Sequence, residues 1–354
     1  MARRVFVHIG TMKSATTYVQ ELCQANAQRL ADEGVLWPPA DLPFLAVAEL
    51  QGRDEERPGR DGSWQRLMSV FAAHSGTAVF SNELLAPVSR RVIRQIVRGC
   101  QPAQVHVVIT ARDLGRVIPS HWQTTLKNGG TTPWAEFAAA VCAEPALRAN
   151  VARSRDTGSW FWRRHDIPAI IGRWTRFVSP EHITVVTVPP VGGDATLVGQ
   201  RFARALGVSA EGLDQPEHDN SSVGAYSAEL LRRLNVANPA FERHHFRWGV
   251  KDALVRYGLA SRAAEEPRFG LSADQHAWVC RRADRMITEI DATSASVVGD
   301  LRDLRPAQRP VDSVVDPASA TDSDLMPAAL AGLAGLARVV ANLRVEDERA
   351  ATER

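Results

Sequence analysis

The sequence predicts an α/β protein, with a central parallel sheet flanked by helices and a helix-rich C-terminal half. Three observations carry that expectation. Short runs rich in Val and Ile (residues 4–9, 77–81, 104–110 and 182–188) alternate with stretches of helical spacing, as buried strands alternate with crossover helices. The hydrophobic share is 45% and the charged share 23%, which suits a packed globular chain and not a disordered one. Residues 12–17, Glu83 and Arg112 carry the unusual chemistry, and each follows a strand. Open parallel sheets bind their ligands at that end.

Taken in order, residues 4–9 form the first strand rather than a signal peptide, because His8 and Lys13 break the apolar run. Val19, Leu22, Cys23, Ala27 and Leu30 recur with helical spacing, and Gly34 closes that helix. Residues 35–37 form a short strand before Pro38-Pro39, and the charged stretch 51–62 reads as an exposed loop. Helices are expected over 64–73, 88–97, from after Asp113 to about 126, 134–141, 167–177 and 195–206, and helical patterns dominate 223–290. Residues 1–305 read as one domain and 306–326 as a linker rich in Pro, Asp, Ser and Ala. Residues 327–354 read as a C-terminal helix or partly disordered tail, free to dock or to self-associate into a homo-oligomer.

Composition narrows the function. The net charge of +2 gives no overall pull toward nucleic acid. No uninterrupted apolar run approaches eighteen residues, so no membrane span is expected. The cysteines (Cys23, Cys100, Cys142 and Cys280) are widely spaced, which argues against a disulfide framework or a zinc cage and for the cytoplasm. Of 42 Lys and Arg residues only Lys13, Lys127 and Lys251 are lysine. A compact ammonium and a planar guanidinium do different work.

Strand, Gly10, Lys13-Ser14-Ala15-Thr16-Thr17 and then helix make a phosphate cradle. Hydroxyls and N–H groups at a helix start favour an anion, and Lys adds a point charge. It is not a Walker A loop, since Met12 stands where that motif needs Gly before Lys. An ordinary Thr-rich helix cap is the plainer alternative.

Met12-Lys13-Ser14-Ala15-Thr16-Thr17 resembles the Pro-Lys-Ser/Thr-Gly-Thr-Thr loop of sulfotransferases that use 3′-phosphoadenosine 5′-phosphosulfate (PAPS), with Met12 for Pro and Ala15 for Gly. Arg112 and Ser120 have the spacing of that family's second signature. Trp162-Arg-Arg-His-Asp-Ile-Pro-Ala-Ile-Ile-Gly-Arg-Trp174, Val185-Val-Thr-Val-Pro-Pro190 and Val298-Gly-Asp-Leu301 look like bacterial, especially actinobacterial, members. The resemblance covers roughly 1–305 and implies a P-loop-like sheet of the sulfotransferase fold. It implies PAPS as co-substrate, adenosine 3′,5′-bisphosphate as product and no metal. Lys13, Ser14, Ala15, Thr16 and Thr17 would take the 5′-phosphosulfate, Tyr18 would lie near the adenine, and Arg112 with Ser120 would hold the 3′-phosphate. Pro119 would open a helix, putting Ser120 in its first turn.

Sulfuryl transfer, like phosphoryl transfer, is mostly positioning and charge stabilisation. Lys13 is the expected cation at the leaving phosphate. Glu83, in Ser81-Asn82-Glu83, is the expected base, with His121 as the alternative. Lys127 reaches either the acceptor or the end of its own helix. Asn220-Ser221-Ser222 reads as a helix cap or a nucleotide contact, Trp160, Trp162 and Trp174 as core or acceptor platform, and His244-His245 as surface. The acceptor would be a small molecule, glycan or lipid, met by segments 38–62 and 145–165. The competing readings are a nucleotide kinase and a non-catalytic interaction protein on a degenerate fold.

Overall fold

The computed structural model describes residues 2–52, 61–143, 157–194, 196–216, 222–242, 244–307 and 314–352. In chain order the elements begin with β1 Arg4–Gly10, α1 Thr16–Ala25, α2 Ala27–Asp32, β2 Val35–Leu36, α3 Asp41–Leu50, α4 Ser63–Ala73 and β3 Thr77–Ser81. There follow α5 Arg90–Gly99, β4 Gln104–Ala111, α6 Leu114–Leu126, α7 Trp134–Cys142, α8 Thr157–His165, α9 Ile167–Trp174, β5 Ile183–Thr187 and α10 Leu197–Leu206. The last are α11 Ala225–Ala237, a π-helix His245–Leu259, α12 Ala273–Asp291, β6 Ser296–Val298 and α13 Asp322–Thr352.

The chain divides into two units. The first holds Met1–Val117, Pro145–His218 and Val279–Ala307, and the second Ile118–Glu144, Asp219–Trp278 and Gln308–Arg354. Residues 308–354, most of what the sequence reads as linker and tail, thus group with 118–144 and 219–278.

The first unit is an α/β sheet of six strands in the order β2-β3-β1-β4-β5-β6, with every pair parallel. Six of the seven β1 residues are buried, as expected for a strand covered on both faces. On one face Phe6, Val79, Val108 and Val186 pack with Val19 and Cys23 of α1 and Val198, Phe202 and Leu206 of α10. Complete burial contributes about 1.5–3 kcal/mol for each large side chain. From β1 the chain passes to one side of the sheet and from β4 to the other. The loops after β1 and β4 thus lie where the strand order reverses, the point at which open parallel sheets bind ligands.

His8 is buried in the middle of this sheet. Its Nδ1 is 2.8 Å from Ser81 Oγ and its Nε2 3.2 Å from Thr110 Oγ1, so it bridges β1 to both neighbours. Burial pushes its imidazole down to about 3. The unfolded chain therefore takes up a proton that the folded one refuses. Stability owed to a neutral His8 is complete above the unfolded value near 6.5, and is lost as the pH falls from there toward 3. The expected slope is about 1.4 kcal/mol per pH unit. Urea titrations between pH 8 and 4 on wild type and His8→Gln should show a shallower acid decline in the variant.

Several boundaries differ from the sequence expectation. The helix expected over 19–30 is broken at Asn26. Asn26 Nδ2 donates to Leu22 O (2.8 Å) and Asp214 O (2.9 Å), and its Oδ1 accepts from Asp214 N (3.0 Å). The helix after β4 opens at Leu114, because Asp113 Oδ1 accepts from Arg116 N at 3.0 Å and caps it. Pro119 therefore lies inside α6, and Ser120 is not in the first turn as expected. α13 begins at Asp322 rather than 327. Thr321 N donates to Asp324 Oδ2 (2.8 Å) and Thr321 Oγ1 accepts from Asp324 N (3.3 Å), a reciprocal cap.

In the second unit α13 packs against the π-helix and α11. A Cβ on Gly335 would approach Ala253 O and Gly258 N at 2.8 Å, and one on Gly258 would meet Ala331 O at 2.6 Å. The two backbones touch because neither carries a side chain there. Glu229 of α11 is buried and binds Arg232 (2.7 Å) and Arg233 (2.9 Å). Burial alone would raise its carboxyl, but the two guanidinium groups outweigh that and lower it. Arg233 in turn holds the start of α13 through Asp322 Oδ1 (2.9 Å) and Ala320 O (2.7 Å). Asp322–Val345 is long and apolar enough to cross a membrane by length and composition, with a mean hydropathy of 1.4. The expectation of no span came from the want of an unbroken apolar run, whereas α13 reaches this value through Ala, Leu and Val interspersed with Gly.

Candidate functional site

The loop after β1 is shaped by two residues in the left-handed region, Lys13 (φ 65°) and Ala15 (φ 62°), on either side of Ser14. Successive N–H groups turn to one side when backbone hand alternates, forming a concavity for an anion. Ala15 is the residue that caps α1, and Thr16 opens the helix. The first N–H groups of a helix have no intrahelical partner. Gly10 is required beneath them, because a Cβ there would overlap the Thr16 side chain.

The loop is fastened from below. Thr11 Oγ1 donates to Thr110 O (3.0 Å), Ser14 N donates to Thr11 O (3.1 Å), and the Ser14 and Thr11 hydroxyls are 2.5 Å apart. Ser14 is fully buried, so its hydroxyl braces the loop, while Thr17 is exposed and Lys13 half-buried. Thr11 carries no signal in the sequence motif, yet it ties β1 to β4. Left-handed backbone at a residue with a Cβ costs about 1–2 kcal/mol, and Gly is also a better helix cap than Ala. Ala15→Gly is therefore expected to raise stability by about 1 kcal/mol in urea titration.

Arg112 reaches this loop from the end of β4. Its Nη1 donates to Lys13 O at 3.2 Å, and it lines a small cavity with Thr11, Leu114, His165, Ile167 and Leu304. A main-chain carbonyl thereby links the two signature residues, Lys13 and Arg112. Arg116 was missed by the sequence reading. It pairs with Asp113 and donates from Nη2 to Pro189 O at 2.8 Å, joining the ends of β4 and β5.

Glu83 stands in a single 3-10 turn after β3, half-buried. Asn82 fixes that turn, since its Oδ1 accepts from Leu84 N (2.8 Å) and its N–H donates to His8 O (3.1 Å). The register pair His8–Ser81 and the packing of its turn on β1 put Glu83 two residues beyond β3, near the carboxyl end of β1. Tyr18 donates its hydroxyl to Gln215 Oε1 at 2.5 Å. Burial, and then the Asp194 carboxylate, push its phenol up.

The first unit thus gathers Lys13, Ser14, Ala15, Thr16, Thr17, Tyr18, Glu83 and Arg112 at one end of the sheet. Ser120, His121 and Lys127 belong to the second unit. There Ser120 O accepts from Thr124 Oγ1 (3.0 Å), His121 is buried with its ring stacked 6.1 Å from Phe137, and Lys127 N closes α6 on Gln123 O (3.1 Å). Asn220 and Ser221 lie outside the described residues, as do 53–60 and 145–156 of the expected acceptor segments. Trp162 and Trp174 are core, whereas Trp160 is exposed beneath Arg164, 3.5 Å from its ring centre. His244 and His245 are exposed. Among the described residues no group of three or more His, Cys, Asp or Glu is placed to hold a metal ion.

Neither a family model nor a curated protein matches the chain. Among solved structures, it is similar to a sulfotransferase from Alicyclobacillus acidocaldarius. The TM-score is 0.40 and the identity 14%, over 70% of this chain and 100% of that one.

Proposed function

We propose that the protein transfers the sulfuryl group of PAPS to a hydroxyl or amine of a small-molecule, glycan or lipid acceptor. The observation that carries this reading is the loop Gly10–Thr17, a strand-to-helix turn of alternating hand whose Lys13 carbonyl is held by Arg112. That arrangement fits a nucleotide with two separate phosphate groups. The loop N–H groups and the Lys13 ammonium hold the 5′ group, and the Arg112 fork holds the 3′ group. Lys13 meets the charge that grows on the leaving phosphate oxygen. Glu83 accepts the proton of the attacking group.

Binding of adenosine 3′,5′-bisphosphate tests the reading. At about 100 times its dissociation constant the ligand adds roughly 2.7 kcal/mol. That raises the melting temperature by about 4 °C for a chain of this length, at roughly 2.1 cal/mol/K per residue. The expected rise needs no magnesium, and labelled PAPS should pass its sulfate to a component of cell extract. A rise only with magnesium would favour a nucleotide kinase. No rise at millimolar ligand overturns the proposal.

A further inference from the structure

α13 has two unlike faces. The inner one, with Ala328, Gly332 and Gly335, is buried against its own unit. The outer one carries Met326, Leu330, Leu333 and Val340, each more than half exposed, together with exposed Ala337. Their spacing is four, three, four, three. That is the narrow seam by which one helix meets another, rather than the broad stripe that covers a core.

The ends of the seam are charged. At 100° per residue, Asp322 and Arg344 project within about 20° of Leu333, one at each end of a line of about 33 Å. Both are exposed. If two copies of this helix pair antiparallel about a two-fold axis at Leu333, Met326 lies opposite Val340 and Asp322 opposite Arg344. Both ends then match in charge, twice over by symmetry, with Asp322 shared between Arg344 of the second copy and Arg233 of its own chain. Parallel pairing sets Asp322 against Asp322 and Arg344 against Arg344. From Asp322 to Arg344 the only basic residues are Arg338 and Arg344, against Asp322 and Asp324 at the start, too few for the basic cluster that binds an anionic lipid surface. Its glycine face is also committed to the π-helix, whereas a spanning helix offers its sides to lipid or to other spanning helices.

We infer that the outer face of α13 is a self-association surface, on which a second copy of this chain docks antiparallel through Met326, Leu330, Leu333 and Val340. The inference stands apart from the sulfotransferase reading and survives its failure.

Sedimentation equilibrium of the full chain tests it. Wild type is expected to approach twice the chain mass at micromolar concentration. Leu333→Glu, which sets two carboxylates on the axis, should weaken association at least about 100-fold with an unchanged circular dichroism spectrum. Should that variant fail to fold, Arg344→Asp, which opposes Asp322, is expected to weaken association about 10-fold. Orientation is read by oxidising a mixture of Met326→Cys and Val340→Cys proteins against a wild-type control. Mixed disulfides are expected, and disulfides only within each variant overturn the antiparallel arrangement. A wild type that stays monomeric overturns the inference. So does a monomer that cosediments with vesicles of phosphatidylcholine and phosphatidylglycerol, which reassigns the face to lipid. A dimer indifferent to both substitutions overturns it as well.

Discussion

Lys13→Ala is expected to slow sulfuryl transfer about 10²–10³-fold at saturating nucleotide, the usual cost of removing one group that stabilises transition-state charge. The loop geometry makes this a clean measurement. The contact from Arg112 is to the Lys13 carbonyl, not its side chain, so truncation leaves the brace in place. Alanine also keeps the left-handed strain at φ 65°, whereas glycine would relax it and confuse backbone with charge. Arg112→Ala should behave in the opposite sense. On the proposed function it removes a forked donor from a phosphate remote from the reacting bond, and it also removes the contact to Lys13 O. Losing one side of a buried charged hydrogen bond costs about 2–5 kcal/mol, so the nucleotide dissociation constant should rise about 30-fold or more. Arg112→Lys keeps the charge without the fork and should recover only part of that loss. Equilibrium binding and single-turnover transfer, measured on the same preparations, separate the two effects. If Lys13→Ala chiefly weakens binding while Arg112→Ala chiefly slows transfer, the two roles have been exchanged.

What was legible in the sequence follows from where each signal lives. β1, β3, β4 and β5 announce themselves as Val- and Ile-rich runs because each is buried on both faces. β6 has only three residues, two of them exposed, so it has no apolar run to read. The break at Asn26 depends on Asp214, 188 residues away, and local periodicity carries no trace of it. The start of α6 directly after Asp113 was open to local reading, since Asp is a favoured residue ahead of a helix and here accepts the Arg116 N–H. Pro119 outweighed it because proline favours a first helical turn. In the site, the residue types of the loop were visible but its shape was not. Neither Lys nor Ala signals a left-handed backbone, and only the Gly of the resembling motif hints at it for Ala15. The grip of Arg112 on Lys13 spans 99 residues and needed the sheet order to bring β1 beside β4.

Glu83→Gln is expected to keep the fold and the nucleotide affinity while losing about 10²–10⁴-fold in transfer rate, the usual contribution of a general base. The first half of that expectation comes from the turn itself. The structure holds the segment by main-chain and Asn82 contacts, namely Asn82 N–H on His8 O and Asn82 Oδ1 on Leu84 N. The Glu83 carboxylate takes no part in them, and the amide is nearly the same size. The second half comes from position. Parallel register with β1 sets Glu83 at the same end of the sheet as the Gly10–Thr17 loop, where, on the proposed function, an acceptor hydroxyl would need to lose its proton. An amide cannot take that proton at neutral pH. Melting temperature and nucleotide affinity, measured alongside, separate lost chemistry from lost structure. A Glu83→Gln rate within about threefold of wild type, under conditions where chemistry is rate-limiting, removes Glu83 from the role. His121→Gln is then the next variant to measure, although burial of His121 under Phe137 makes it harder to replace without disturbing the packing of α6 on α7.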